Sequence, residues 1–155
     1  MKNIWLESKE TQTSVQYLET FLASQSILNL KIRNFHWNVV GPHFSDYHKF
    51  FEWMYETSAE LIDDIAERIR MLGSKSPATM AFFLKTSFLD EQPNHDLEAE
   101  QMVAELVADT EKTIREMREA IQVIWETWDK GTEDFLIATM QEHEKNAWML
   151  RSMIK

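Results

Sequence analysis

A chain of 155 residues with a formal net charge of −10 and no cysteine is outside several function classes from the start. It lacks the surplus of Lys and Arg that a phosphate backbone demands, and it can form neither a disulfide nor a thiolate metal site. No apolar run reaches membrane-spanning length and no secretory leader is evident, which points to a soluble cytoplasmic protein. Three Gly and three Pro are too few for a turn-dense β fold. The expectation is one all-α domain spanning 1–155, with 1–10 as a short tail.

The first helix is expected from about Thr11 to about Val39, with Val15, Leu18, Leu22, Ile27, Leu30 and Phe35 at loosely helical spacing. The breaker pair Gly41-Pro42 stops it. A second helix is expected to start after Ser45 as N-cap, with Asp46 in its first turn. Its core stripe runs through Tyr47, Phe51, Met54, Leu61, Ile65, Ile69 and Leu72, and Gly73 closes it. The stretch SKSPATMAFFLKTSFLDEQPNHD is too long for a tight turn, and MAFFLKTSFL within it suits a short crossing helix. A third helix is expected from Asn94 or Asp96 to about Lys130, ended by Gly131. A fourth, capped by Thr132, carries Phe135, Leu136, Met140, Ala147, Leu150 and Ile154. Two helical hairpins joined by a long crossover predict a ferritin-like four-helix bundle, against the simpler up-and-down bundle.

Three of the five histidines, His36, His43 and His48, fall within thirteen residues. On the second helix His48 and Glu52 stand at i and i+4, as do Asp63 and Glu67, so each pair shares a face. Glu52 and Asp63 are eleven residues apart, roughly 16 Å along a helix rising about 1.5 Å per residue. Metal bonds of about 2 Å cannot bridge that gap within one helix. The midpoint of 48 and 67 is 57.5, and so is that of 52 and 63. Two copies packed antiparallel about a two-fold axis near Thr57-Ser58 would set His48 against Glu67 of the mate and Glu52 against Asp63 of the mate. The stripe continues through Tyr55, Ala59, Ile62 and Ala66, mostly apolar, and small residues at Thr57, Ser58 and Ala59 permit close approach.

His36, in the last turns of the first helix, converges on His48 once Gly41-Pro42 reverses the chain. The candidate centre is therefore His36, His48 and Glu52 of one subunit with Asp63 and Glu67 of its mate. Imidazole and carboxylate without sulfur suit Fe, Mn or Zn. The competing reading for each carboxylate alone is a solvated helix face. His43 is expected in the turn or on the surface, and His95 and His143 have no carboxylate geometry that selects them.

The run HWNVVGPHF beginning at His36, then His48, then DDIAER from Asp63 to Arg68, and EHEKNAWMLR from Glu142 to Arg151 resemble the Dps mini-ferritins over essentially the whole chain. The resemblance implies a hollow homododecamer with ferroxidase centres at two-fold interfaces. It further implies oxidation of Fe(II), preferably by hydrogen peroxide, and storage of ferric mineral; the mixed N/O ligand set with several carboxylates suits up to two iron ions per centre. The family's ligand positions fall on His36, His48, Asp63 and Glu67, with a fifth at Glu52, where the family commonly has Asp.

Trp37 occupies the place of a family Trp that sits beside the iron; its competing role is packing at the dimer interface. Acidic residues near the last helix junction line three-fold pores in the family, which marks Asp129, Glu133 and above all Asp134. For these the competing reading is carboxylates complementing a helix dipole. Lys-rich tails that bind DNA in some members have no counterpart in MKNIWLESKETQTS. Direct DNA binding is not expected, and DNA would be protected chemically. The Glu-x-x-His pair of intrasubunit di-iron bundles is absent from the sequence. A DNA-binding cage with little catalysis and a catalytically silent assembly are the alternative functions.

Overall fold

The computed structural model describes residues 6–154 and contains five helices there, in the order α1 Ser8–Asn38, α2 Phe44–Met71, α3 Met80–Thr86, α4 Ala99–Trp125 and α5 Lys130–Met153. Helix α1 packs along α2 and α4 along α5, while α3 lies on α1 and α1 touches α4. These are the two hairpins and the crossover that the sequence predicts. The expected positions Met1 to Trp5 lie outside the described residues.

Helix starts depart from expectation where a different polar residue caps them or, at α2, where the backbone turn at Gly41 sets the start. The first helix begins at Ser8 rather than Thr11, because Glu7 and Glu10 form a reciprocal capping box, with the Glu7 N–H donating to Glu10 Oε2 at 2.8 Å. Residues 8–10 of the expected tail are therefore helical. At α2 the N-cap is His43, not Ser45. Gly41, at φ 116°, reverses the chain, and the turn closes through the Phe44 N–H to the Gly41 carbonyl at 3.1 Å. Ser45 is thus already inside the first turn. Gly73, at φ 89°, ends α2 as expected; its N–H donates to the Arg70 carbonyl, and the Ser74 N–H to that of Ile69, the paired bonds of a Schellman motif.

Neither Asn94 nor Asp96 starts α4. The Asp96 N–H donates to Asn94 Oδ1 at 2.9 Å, a local turn that competes with helix. The helix begins one turn later at a Glu98–Gln101 capping box, and it ends at Trp125 rather than Lys130. For α5 the cap is Asp129 instead of Thr132: its Oδ1 accepts from the Thr132 N–H at 3.1 Å. Gly131 lies within the first turn of α5 and ends nothing. A Cβ there would stand 2.8 Å from Arg68 Nη2, so glycine makes room for the guanidinium that ties α2 to α5.

The bundle interior is two apolar clusters separated by a polar layer. One surrounds Phe35, Phe51, Met102 and Leu106, beneath the α1–α2 turn; the other surrounds Leu18, Ile65, Ile69, Met117 and Leu136. Between them lie Gln25, Ser58, Thr110 and His143, one from each long helix and all buried. Gln25 Nε2 donates to Ser58 Oγ at 2.9 Å, and the His143 Nδ1–H donates to the Thr139 carbonyl at 2.9 Å. This gives His143, unassigned from sequence, a place in the packing.

Candidate metal centre

The apolar cluster under the α1–α2 turn sets the two helix ends so that His36 and His48 meet. Their rings stack with centroids 3.8 Å apart and planes 21° off parallel. His36 Nδ1 lies 2.8 Å from the His48 carbonyl oxygen, and His48 Nδ1 lies 2.9 Å from that of His36. A carbonyl only accepts, so in both rings Nδ1 carries a proton, and in the neutral imidazole that leaves Nε2 with the lone pair. This is the arrangement in which a backbone carbonyl orients an imidazole for a metal. Phe44 packs on His48 at 4.9 Å and Tyr55 meets His36 edge-on at 5.2 Å.

Glu52 is half-buried one turn beyond His48, and Asp63 and Glu67 are exposed farther along α2. None of the three makes a side-chain hydrogen bond or ion pair within the subunit. Among the described residues no three metal-ligating side chains of one subunit come together as a site. The single chain thus brings together His36 and His48, with Glu52 beside them on α2, and leaves Asp63 and Glu67 apart.

The three candidate pore carboxylates differ sharply. Asp129 is 1% exposed; it accepts from the Thr132 hydroxyl at 2.7 Å and pairs with Arg68 Nη2 at 2.9 Å. Burial alone would raise its carboxyl, but the Thr132 hydrogen bonds and the Arg68 charge more than offset this and hold it below the ordinary 3.8. Glu133 is also buried and pairs with Lys130 at 2.7 Å. Only Asp134 presents an exposed, uncommitted carboxylate.

Trp37, next to His36 in sequence, is 65% exposed. It lines a cleft of about 600 Å³ with Leu30, Asn34, Pro93 and His95. His43 is exposed at the start of α2, and His95 Nδ1 lies 3.3 Å from Asn34 Oδ1. One neighbour of the centre went unnoticed in the sequence. Arg33 lies three residues before His36, with its Cζ 4.1 Å from the Tyr55 ring centroid. Its i, i+3 relation to a candidate ligand was the signal that could have found it.

The model of the ferritin-like domain matches residues 15–155. The chain is 41% identical over 154 residues to an uncharacterized low temperature-induced protein of Nostoc, covering 99% of this chain and 86% of the relative. It is 38% identical over 140 residues to DNA protection during starvation protein 2 of Bacillus anthracis, covering 90% of this chain and 95% of the relative. Among solved structures, a Dps protein from Bacillus brevis superposes with a TM-score of 0.92 at 32% identity, over 97% of this chain and 100% of the other. The Dps of Vibrio cholerae, described as a member of a broad superfamily of ferritin-like diiron-carboxylate proteins, gives 0.94 at 26% identity, over 100% of this chain and 97% of the other.

Proposed function

The chain belongs to the ferritin-like family, in its Dps branch, and from that premise we propose an iron-storing ferroxidase whose oxidation centre is shared by two subunits. The observation that carries this reading is the stacked His36–His48 pair, with both Nδ1–H groups committed to backbone and both Nε2 lone pairs free. A metal-binding face already oriented in this way lacks only carboxylates. Glu52 stands beside it, and Asp63 and Glu67 of a two-fold mate complete it in the antiparallel arrangement that the 57.5 midpoint requires.

Fe(II) is the substrate. Two imidazoles supply neutral nitrogen and three carboxylates supply charge, a donor set that suits ferrous iron and stabilises the ferric product more strongly; it also suits Mn or Zn. Two ions fit the ligand count better than one, since each histidine can serve its own ion while a carboxylate spans both. The proposed oxidant is hydrogen peroxide. Two Fe(II) each give up one electron, the O–O bond breaks, and two protons are taken up to leave two waters and two Fe(III). Hydrolysis of the ferric ions then yields mineral inside a hollow oligomer, proposed as a dodecamer built from two-fold dimers. Consuming iron and peroxide together protects DNA without touching it. The pore role narrows to Asp134, because Asp129 and Glu133 are committed inside the subunit.

The test is anaerobic. Fe(II) is added to the protein, peroxide follows, and ferric absorbance and the iron held in solution are measured. Fast oxidation with soluble product in the wild type, lost in His48→Ala/Asp63→Ala, supports the reading. A DNA-binding cage instead predicts a gel shift at low salt with no difference between the two proteins.

A further inference from the structure

Arg33 is an anomaly beside a site built for cations. It is half-buried, three residues before His36, and it makes no ion pair within the subunit. Its position is nonetheless well fixed. Arg33 Nε donates to Asn29 Oδ1 at 3.0 Å, and Asn29 Nδ2 donates to the Tyr55 carbonyl at 2.7 Å. The guanidinium then lies over the Tyr55 ring, which also meets His36 edge-on. Asn29, Arg33 and His36 thus line one side of α1 and hold Tyr55 of α2 between the guanidinium and the imidazole.

A fixed positive charge on the far side of the Tyr55 ring from His36 opposes cation binding, and since Glu52 and the mate's Asp63 and Glu67 serve as ligands, the guanidinium is left to pair with a further anion. Elsewhere the subunit gives such cations an oxygen partner: buried Lys31 has Asp109 at 2.5 Å, half-buried Arg68 has Asp129 at 2.9 Å, and half-buried Lys112 donates to the Phe88 carbonyl. Arg33 has an aromatic face and an amide, which orient a guanidinium without neutralising it. Its remaining N–H groups are free to receive an anion in the fork geometry that guanidinium offers to paired oxygens. Peroxide is such a group once it gives up a proton to the solvent, whereas dioxygen is neutral and gains nothing from the charge before it takes an electron.

We propose that Arg33, held on Tyr55, is the specificity-determining group that draws the anionic form of peroxide to the His36–His48 face, and so favours peroxide over dioxygen as oxidant. This rests on the ferroxidase reading above. The proton released on binding is regained with two others as the O–O bond breaks, so the overall reaction is unchanged: two Fe(II), one hydrogen peroxide and two protons give two Fe(III) and two waters.

The test compares wild type, Arg33→Gln, Arg33→Lys and Tyr55→Leu. Peroxide-driven and dioxygen-driven oxidation are followed separately by stopped flow, and azide is titrated into protein loaded with Co(II), read from the cobalt absorption. Arg33→Gln is expected to lose about tenfold in peroxide rate and in azide affinity, with Co(II) binding and the dioxygen rate held within about twofold. Arg33→Lys should recover part of both losses, and Tyr55→Leu should resemble Arg33→Gln with a smaller effect. Equal peroxide rates and azide affinities in wild type and Arg33→Gln overturn the assignment. So does a fall in Co(II) binding or an equal fall with both oxidants, since Arg33 would then serve the ligands or the contact with the mate. A wild type that binds no Co(II) and oxidises no iron brings down the ferroxidase reading instead.

Discussion

Asp63 and Glu67 on α2, and Asp129 and Glu133 around the start of α5, are two carboxylate pairs at the same i, i+4 spacing with opposite fates. The second pair is buried and neutralised inside the subunit by Arg68 and Lys130. The first is exposed and uncommitted, on the same helix as His48 and Glu52. Spacing places carboxylates on a common face, but only the partners tell whether that face is a joint or a binding surface. A charge satisfied within its own subunit fixes a helix end. One left open, on the helix that carries His48, is available on the proposed reading to meet an ion held by a mate.

Exchanging the roles of the two pairs breaks the comparison most severely. His48→Ala/Asp63→Ala is expected to cut peroxide-driven iron oxidation by at least about 100-fold. Its melting temperature should fall by no more than about 5 °C, because Asp63 anchors nothing within the subunit and His48 gives up one ring stack and one hydrogen bond to the His36 carbonyl. Calorimetry beside stopped flow checks both halves. Asp129→Ala should do the reverse. It leaves Arg68 without its carboxylate and α5 without its cap, costing about 3 kcal/mol of stability. Oxidation per folded subunit at 25 °C should be retained. Denaturant unfolding is the readout, and a variant that is stable but inactive would move Asp129 to the functional side.

His143 sharpens the comparison among histidines. Like His36 and His48, it commits Nδ1 to a carbonyl, but its Nε2 faces Gln25 at 3.3 Å inside the polar layer instead of the subunit's edge. Burial pushes its imidazole below the ordinary 6.5. The folded state therefore binds this proton less readily than the unfolded chain does. The resulting stability is full above about pH 6.5 and is lost as pH falls toward the depressed folded value. The slope approaches but does not exceed about 1.4 kcal/mol per pH unit. His143→Gln should flatten it between pH 7 and 5 in urea unfolding, while leaving the iron chemistry at pH 7 intact.

Much of this was legible in the chain. The breaker Gly41-Pro42 and the stop at Gly73 are local signals, and a reversal that short forces His36 and His48 together. The helix starts were not legible, because several adjacent polar residues can cap, or a backbone turn can set the start as at His43, and the sequence does not rank these options. His43 displaces Ser45, Glu98 displaces Asp96, and Asp129 displaces Thr132. Gly131 reads as a terminator, yet it is small for the sake of Arg68, 63 residues earlier. Asp129 reads as a pore carboxylate for a related reason: its pairing with Arg68 on a distant helix leaves no mark in local spacing. Arg33 was missed because its meaning depends on Tyr55, on the neighbouring helix.

The central claim is that one centre needs two subunits, and mixing variants tests it directly. One variant carries His36→Ala/His48→Ala, the other Asp63→Ala/Glu67→Ala, and each alone should be inactive. When the two are co-assembled, every two-fold pair of unlike subunits contains one centre with all five ligands intact and one that keeps only Glu52. Random pairing restores about a quarter of the centres, so peroxide-driven oxidation should return to roughly that fraction of wild type. If co-assembly is verified and activity stays at the level of the separate variants, the ligands belong to one subunit, and the shared centre is contradicted.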